Sequence, residues 1–137
     1  MSDVLLVLMR WLHISSMATL IGGILYWRLV LEPSLRGLAT DAANAVSAKA
    51  AAAYRPIVWA AMTSLILSGV FNLMANPGHK PTYHMLLGIK ILLAGHVFAM
   101  AFLITKPINP RRSRLMTGAV ISGLTILAIS AYLRRIF

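Results

Sequence analysis

Four ionisable side chains stand inside otherwise apolar runs. Arg10 and His13 share one run, and Lys90 and His96 share another. An ionisable group in hydrocarbon is costly, so it marks a functional site by default. Two imidazoles from separate helices can ligate a haem iron axially, histidine being a common axial ligand. An arginine and a lysine near them can pair with the propionates. The four residues together therefore point to a bound haem b. His13 and His96 are the candidate metal ligands, and Arg10 and Lys90 are the further candidate cofactor-binding residues.

The same residues allow other chemistry. Met9, His13 and Met17 are spaced four apart and share a helical face, and His96 and Met100 repeat the spacing. Thioethers with imidazole suit Cu(I), so copper is the alternative cofactor. Methionine is equally an ordinary core filler. Arg10 can snorkel to the interface beside Trp11, and a single buried histidine can serve only as a hydrogen bond between helices. His79 and His84 read either as an outer metal-capture pair or as plain loop residues. No catalytic residue is assigned. Asp3, Glu32 and Asp41 are the three carboxylates, too few and too scattered for a paired-carboxylate mechanism. There is neither a glycine-rich phosphate loop nor a His-Glu-x-x-His motif.

The chain that must position these groups has 137 residues, 59% of them hydrophobic, and a mean hydropathy of +0.79. Soluble domains are nearer 45–50% apolar. The length holds four spans of about 20 residues and no separate soluble catalytic domain. The expected fold class is all-α, a polytopic membrane four-helix bundle running up-down-up-down, with residues 1–137 as one transmembrane domain. Cysteine is absent, which removes disulfides, thiolate metal sites, Fe–S clusters and covalent haem attachment. The net charge of +10 is read as cations flanking spans in a lipid bilayer, with no nucleic acid as partner.

Spans are expected at about 4–27, 56–74, 84–104 and 115–133. Tyr26-Trp27-Arg28 closes the first with an aromatic belt and a cation. Glu32-Pro33 should stop that helix, because the residue before proline disfavours the helical region. In the polar connection 33–55 the alanine-rich stretch Asp41 to Tyr54 should be helical, with Thr40 a plausible N-cap and Asp41 in the first turn. In the second span Ser68 is read as bonding back to its own helix, and Asn72 alone asks for an explanation. Asn76-Pro77-Gly78 is a turn signal. Gly88 and Gly95 fall on nearly one face of the third span. Gly118, Ser122 and Gly123 suggest a packing face on the fourth, which carries no charge. Tyr26, Tyr54, Tyr83 and Tyr132 read as interfacial.

Counting cations sets the orientation. The first and third connections carry Arg28, Arg36, Lys49, Arg55, Lys106, Arg111, Arg112 and Arg114, which is eight; Lys80, Arg134 and Arg135 make three on the other side. The positive-inside rule then puts both termini on the outer, periplasmic side of a bacterial inner membrane. The acidic Met1-Ser2-Asp3 start does not read as a cleaved signal peptide. On this topology the first and third spans run the same way. Counted from Val4 and His84 at about 1.5 Å per residue, Arg10 and Lys90 lie at similar depth, and His13 and His96 lie deeper.

Arg10-Trp11-Leu12-His13 followed by Ile21-Gly22-Gly23 resembles two related families of small membrane proteins. These are the CopD copper-resistance family and the HemJ type of protoporphyrinogen oxidase. Tyr26-Trp27-Arg28-Leu29, Tyr54-Arg55-Pro56, Ser68-Gly69 and the stretch from Lys90 to His96 extend the likeness over about Arg10 to Lys106. The resemblance implies a four-span, haem-binding protein that uses a first-span histidine, here His13, and a later lysine, here Lys90. His96 falls where HemJ-like third spans carry a histidine. Three functions stay open. The first is a haem b redox or electron-transfer protein acting with a quinol, a porphyrinogen or a protein redox partner. The second is copper transport or tolerance. The third is a structural subunit in a homo-oligomer or larger membrane complex.

Overall fold

In lipid a backbone must satisfy its N–H and C=O groups within the segment, and a long apolar run does so as a helix. The computed structural model describes residues 2–75, 78, 80–107 and 109–136, the last by its backbone alone. These residues form four long helices and no strand: α1, Asp3–Tyr26; α2, Thr40–Ala75; α3, Pro81–Ile104; and α4, Arg112–Ile136. Each is long and apolar enough to cross a bilayer. A helix of 24 residues rises about 36 Å, against a hydrocarbon core of about 30 Å. α2 has 36 residues, so its first turns project beyond that thickness. They are the alanine-rich stretch expected to be helical, and the helix takes in Thr40 itself, one residue before the expected start at Asp41.

Two boundaries differ from expectation. Glu32 does not stop the first helix. It is helical itself (φ −60°, ψ −47°), and the helix runs on through Glu32–Ser34. The π turn at Trp27–Leu31 lies immediately upstream. A π turn shifts the backbone ladder by one residue, which suits the approach of Pro33, a residue with no N–H to give. α3 starts at Pro81 rather than at His84, because proline fits the first turn, where its missing donor is not needed. The Asn76-Pro77 part of the predicted turn and His79 lie outside the described residues. Gly78 has the positive φ of 95° that a turn there asks of glycine.

The helices pack as two antiparallel pairs, α1 with α2 and α3 with α4, which meet along α1–α4 and α2–α3. α1 and α3 are therefore diagonal and run in the same direction. Two glycines permit close approach. A Cβ on Gly23 would strike Tyr54 of α2, and one on Gly123 would strike Ile21 of α1. Tyr54 is thus half-buried against α1, its hydroxyl donating to the Leu20 carbonyl at 2.8 Å. Arg112 ties the end remote from the termini. It donates to the carbonyls of Ile104 (3.0 Å), Lys106 (2.6 Å) and Pro107 (3.2 Å) and lies 5.1 Å from the Trp27 ring.

The core is one-sided along the membrane normal. The buried residues of α1 begin at Ser16 and end at Trp27; those of α3 begin only at Val97. On α2 they stop at Ser68, and on α4 they thin out after Ile126 to Leu133 alone. The pairs therefore pack tightly in the half of the bundle near the basic connections. In the half near the termini that burial lapses, a parting of the core in which the described residues of α1 before Ser16 and of α3 before Val97 are not buried. In the most apolar stretch of each helix, 17–28% of residues are buried in the bundle. The remaining apolar surface faces outward, as an integral membrane protein requires.

Candidate functional site

Both histidines stand at the floor of this parting, just above the packed core. His13 is half-buried, three residues before Ser16, and His96 is exposed, next to Val97. Each is tethered inside its own helix pair. His13 Nδ1 is 2.9 Å from Ser68 Oγ on α2, and His96 Nδ1 is 2.9 Å from Ser122 Oγ on α4. Each ring also lies over a glycine. A Cβ on Gly69 would sit 3.7 Å from His13 Cε1, and one on Gly118 would sit 3.8 Å from His96 Cε1. The two pairs thus repeat one device: an imidazole, a serine on the next helix and a glycine under the ring.

Two contacts give the relative depth of α1 and α3. Arg112 touches both Trp27 and the Ile104 carbonyl. His13 is 14 residues from Trp27 and Lys90 is 14 from Ile104, about 21 Å in each case. The second contact is Trp59 on α2 against Phe102 on α3, ring centroids 5.9 Å apart. Nine residues on from Trp59 is Ser68, the partner of His13, and nine back from Phe102 is Leu93. His13 is therefore level with residues 90–93 of α3, between Lys90 and His96. Lys90 is half-buried and within electrostatic reach of His13. So α1 supplies one imidazole to the parting, while α3 supplies a cation and a second imidazole.

Arg10 is placed differently. It is exposed and lines a small cleft of about 240 Å³ at the start of α1, with Asp3, Leu6, Val7 and Asn72. It lies about one turn beyond His13, nearer the bundle end, and its neighbour Trp11 is 63% exposed. Met17 and Met100 pack against the hydrophobic core as partly buried side chains, and Met9 is half-buried on α1. Among the described residues, no group of three or more His, Cys, Asp or Glu side chains is arranged to hold a metal ion. His84 is exposed and sits edge-on to Tyr83, ring centroids 5.8 Å apart.

Sequence reasoning passed over Ser68 and Ser122. Serine in a membrane helix usually bonds back to its own carbonyls, and Ser68 does so to Ser64 at 2.6 Å. A hydroxyl that donates still has lone pairs, and Ser68 Oγ also lies 2.9 Å from His13 Nδ1. The one available signal was the Ser68-Gly69 pair, a polar residue beside a residue small enough to admit a ring. Comparison with protein-family models, with curated proteins and with solved structures gives no match.

Proposed function

We propose that this integral membrane chain is a haem b-binding redox protein of the CopD/HemJ-like type, with both termini on the periplasmic side. The observation that carries the reading is His13, tethered through Nδ1 beside this parting of the core at a depth between those of Lys90 and His96. The residues fit the group. A porphyrin supplies four nitrogens of its own, so one or two imidazoles suffice, where a bare metal ion needs a larger ligand cluster of protein side chains. Gly69 and Gly118 keep the space around the rings free of side chains, and the surrounding helices are apolar. His13 and His96 would hold the iron from opposite pairs, and Lys90 would pair with a propionate. Arg10, one turn nearer the termini, would meet the other propionate or the lipid headgroups.

A bound haem supplies one-electron chemistry. What this chain does is orient the imidazoles, place a cation beside them and keep the parting apolar. The donor would reach it from the bilayer, as a quinol or a porphyrinogen, or from a protein partner at the membrane surface. The basic connections support the orientation, since eight of the eleven flanking cations fall on one side.

The test is a reduced-minus-oxidised visible spectrum of the detergent-purified protein, with total metal measured on the same sample. A sharp α band with haem in proportion to chain is expected, and His13→Ala should abolish or grossly change it. A flat spectrum from the wild-type protein, or wild-type haem in His13→Ala, would overturn the proposal. Stoichiometric copper without haem would do so in favour of transport or tolerance.

A further inference from the structure

Ser68 has one hydroxyl proton. Its Oγ lies 2.6 Å from the Ser64 carbonyl and 3.4 Å from that of Leu65. Two oxygens at 2.6 Å without a proton between them would repel, so the proton lies on that line. Ser68 can then only accept from His13, whose Nδ1 is 2.9 Å away. An acceptor facing Nδ1 requires the proton to be on Nδ1. Neutral imidazole in water prefers its proton on Nε2, so the protein has selected the other form. The selection rests on the short Ser64 contact: a hydroxyl turned toward His13 would give up that bond and leave two oxygen atoms facing each other at 2.6 Å in a fully buried place.

We infer that Ser68 is a positioning residue: it holds His13 as the Nδ1–H tautomer and leaves Nε2 unprotonated as the ligating nitrogen. The inference deepens the haem reading, because only an unprotonated ring nitrogen can bind a metal. A ligating histidine elsewhere commonly donates its other N–H to a carbonyl, carboxylate or water, which fixes the ring and raises ligand basicity. Here a serine hydroxyl, polarised by its own helix, takes that part. The repeat at His96 and Ser122, also 2.9 Å apart, gives an internal comparison within the same molecule.

Two measurements separate this inference from the reading it deepens. The first needs no haem. Nitrogen-15 NMR of the imidazoles in the haem-free protein reports which ring nitrogen carries the proton. At a pH where His13 is neutral, the wild-type protein should show Nδ1–H, and Ser68→Ala should shift the ring toward Nε2–H. Ser68→Thr, which keeps the hydroxyl, should restore Nδ1–H. A wild-type His13 protonated on Nε2, or a tautomer unmoved in Ser68→Ala, overturns the inference whatever the cofactor is. The second uses the loaded protein. Ser68→Ala should weaken haem binding by roughly 10–100-fold and shift the midpoint potential, and Ser68→Thr should recover both. A serine that merely joins two helices would lower stability and leave the potential of the remaining haem unchanged, which also counts against the inference. If the tautomer behaves as expected and the wild-type protein takes up no haem, the haem reading fails and the Ser68–His13 assignment stands.

Discussion

Gly23→Ala is the sharpest test of how the two halves of the α1–α2 pair meet. The added methyl would fall 2.6 and 2.7 Å from the Tyr54 ring atoms Cζ and Cε2, and closer still to the hydroxyl. Tyr54 has little freedom to yield. Its hydroxyl donates to Leu20 at 2.8 Å and approaches the Thr19 carbonyl at 3.3 Å. Its ring stands edge-on to Trp27, centroids 6.3 Å apart. Overpacking of this kind costs about 1–3 kcal/mol. Losing the tyrosine bond adds about 0.6 kcal/mol, the average for such bonds in membrane proteins. Against this, alanine is the better helix former by at most about 1 kcal/mol. With the full helix gain subtracted, the net expectation is a loss of about 0.6–2.6 kcal/mol, enough to change the folded-to-unfolded ratio about threefold or more. The assay is unfolding in mixed micelles by added sodium dodecyl sulfate, followed by far-ultraviolet circular dichroism. In a Tyr54→Leu background the same alanine should cost nothing or stabilise, giving a coupling of about 1 kcal/mol or more. Additivity of the two changes within about 0.5 kcal/mol, or a stabilised Gly23→Ala protein, would refute the contact.

Lys90→Met should lower the haem midpoint potential, because a nearby cation favours the reduced, less positive iron. A unit charge acting over about 10 Å at an effective dielectric near 20 contributes about 1.7 kcal/mol, or about 70 mV for one electron. An unchanged potential in a redox titration would remove Lys90 from the site. Arg112→Lys keeps the charge but loses the planar fork that reaches three carbonyls and the Trp27 face. A loss of about 1–2 kcal/mol is expected in the same micelle titration, and a neutral result would show that the α3 end is held by other contacts.

Much of the fold was legible along the chain because a bilayer makes each span solve its backbone problem alone. Hydropathy and length placed four helices, and Thr40 with Asp41 marked where α2 begins. The misreadings came where a local rule met its neighbours. Glu32-Pro33 reads as a stop, yet the π turn at Trp27–Leu31 carries the helix past it. The seat for Tyr54 on α1, made by the missing side chain of Gly23, was not legible from either residue alone. Of the proposed site, the ionisable residues were legible because each is costly in lipid. Ser68 and Ser122 were not, since a serine satisfied by its own helix looks the same in sequence whether or not a ring leans on its other side.

What the sequence alone determined is the class of molecule: an apolar, cysteine-free, four-span chain with Arg10, His13, Lys90 and His96 set in its spans. Those properties are sums over residues or follow from single positions, so no neighbour is needed to read them. What only the tertiary structure decided is the company each group keeps. Counting from the ends of the spans put Lys90 level with Arg10, and so residue 93 level with His13; the contacts of Arg112 and Trp59 set His13 level with residues 90–93, a range that includes that register. Depth along one helix is covalent and countable. Register between helices depends on which side chains and glycines interlock, here Gly23 with Tyr54 and Gly123 with Ile21, and that is settled only when the four helices pack.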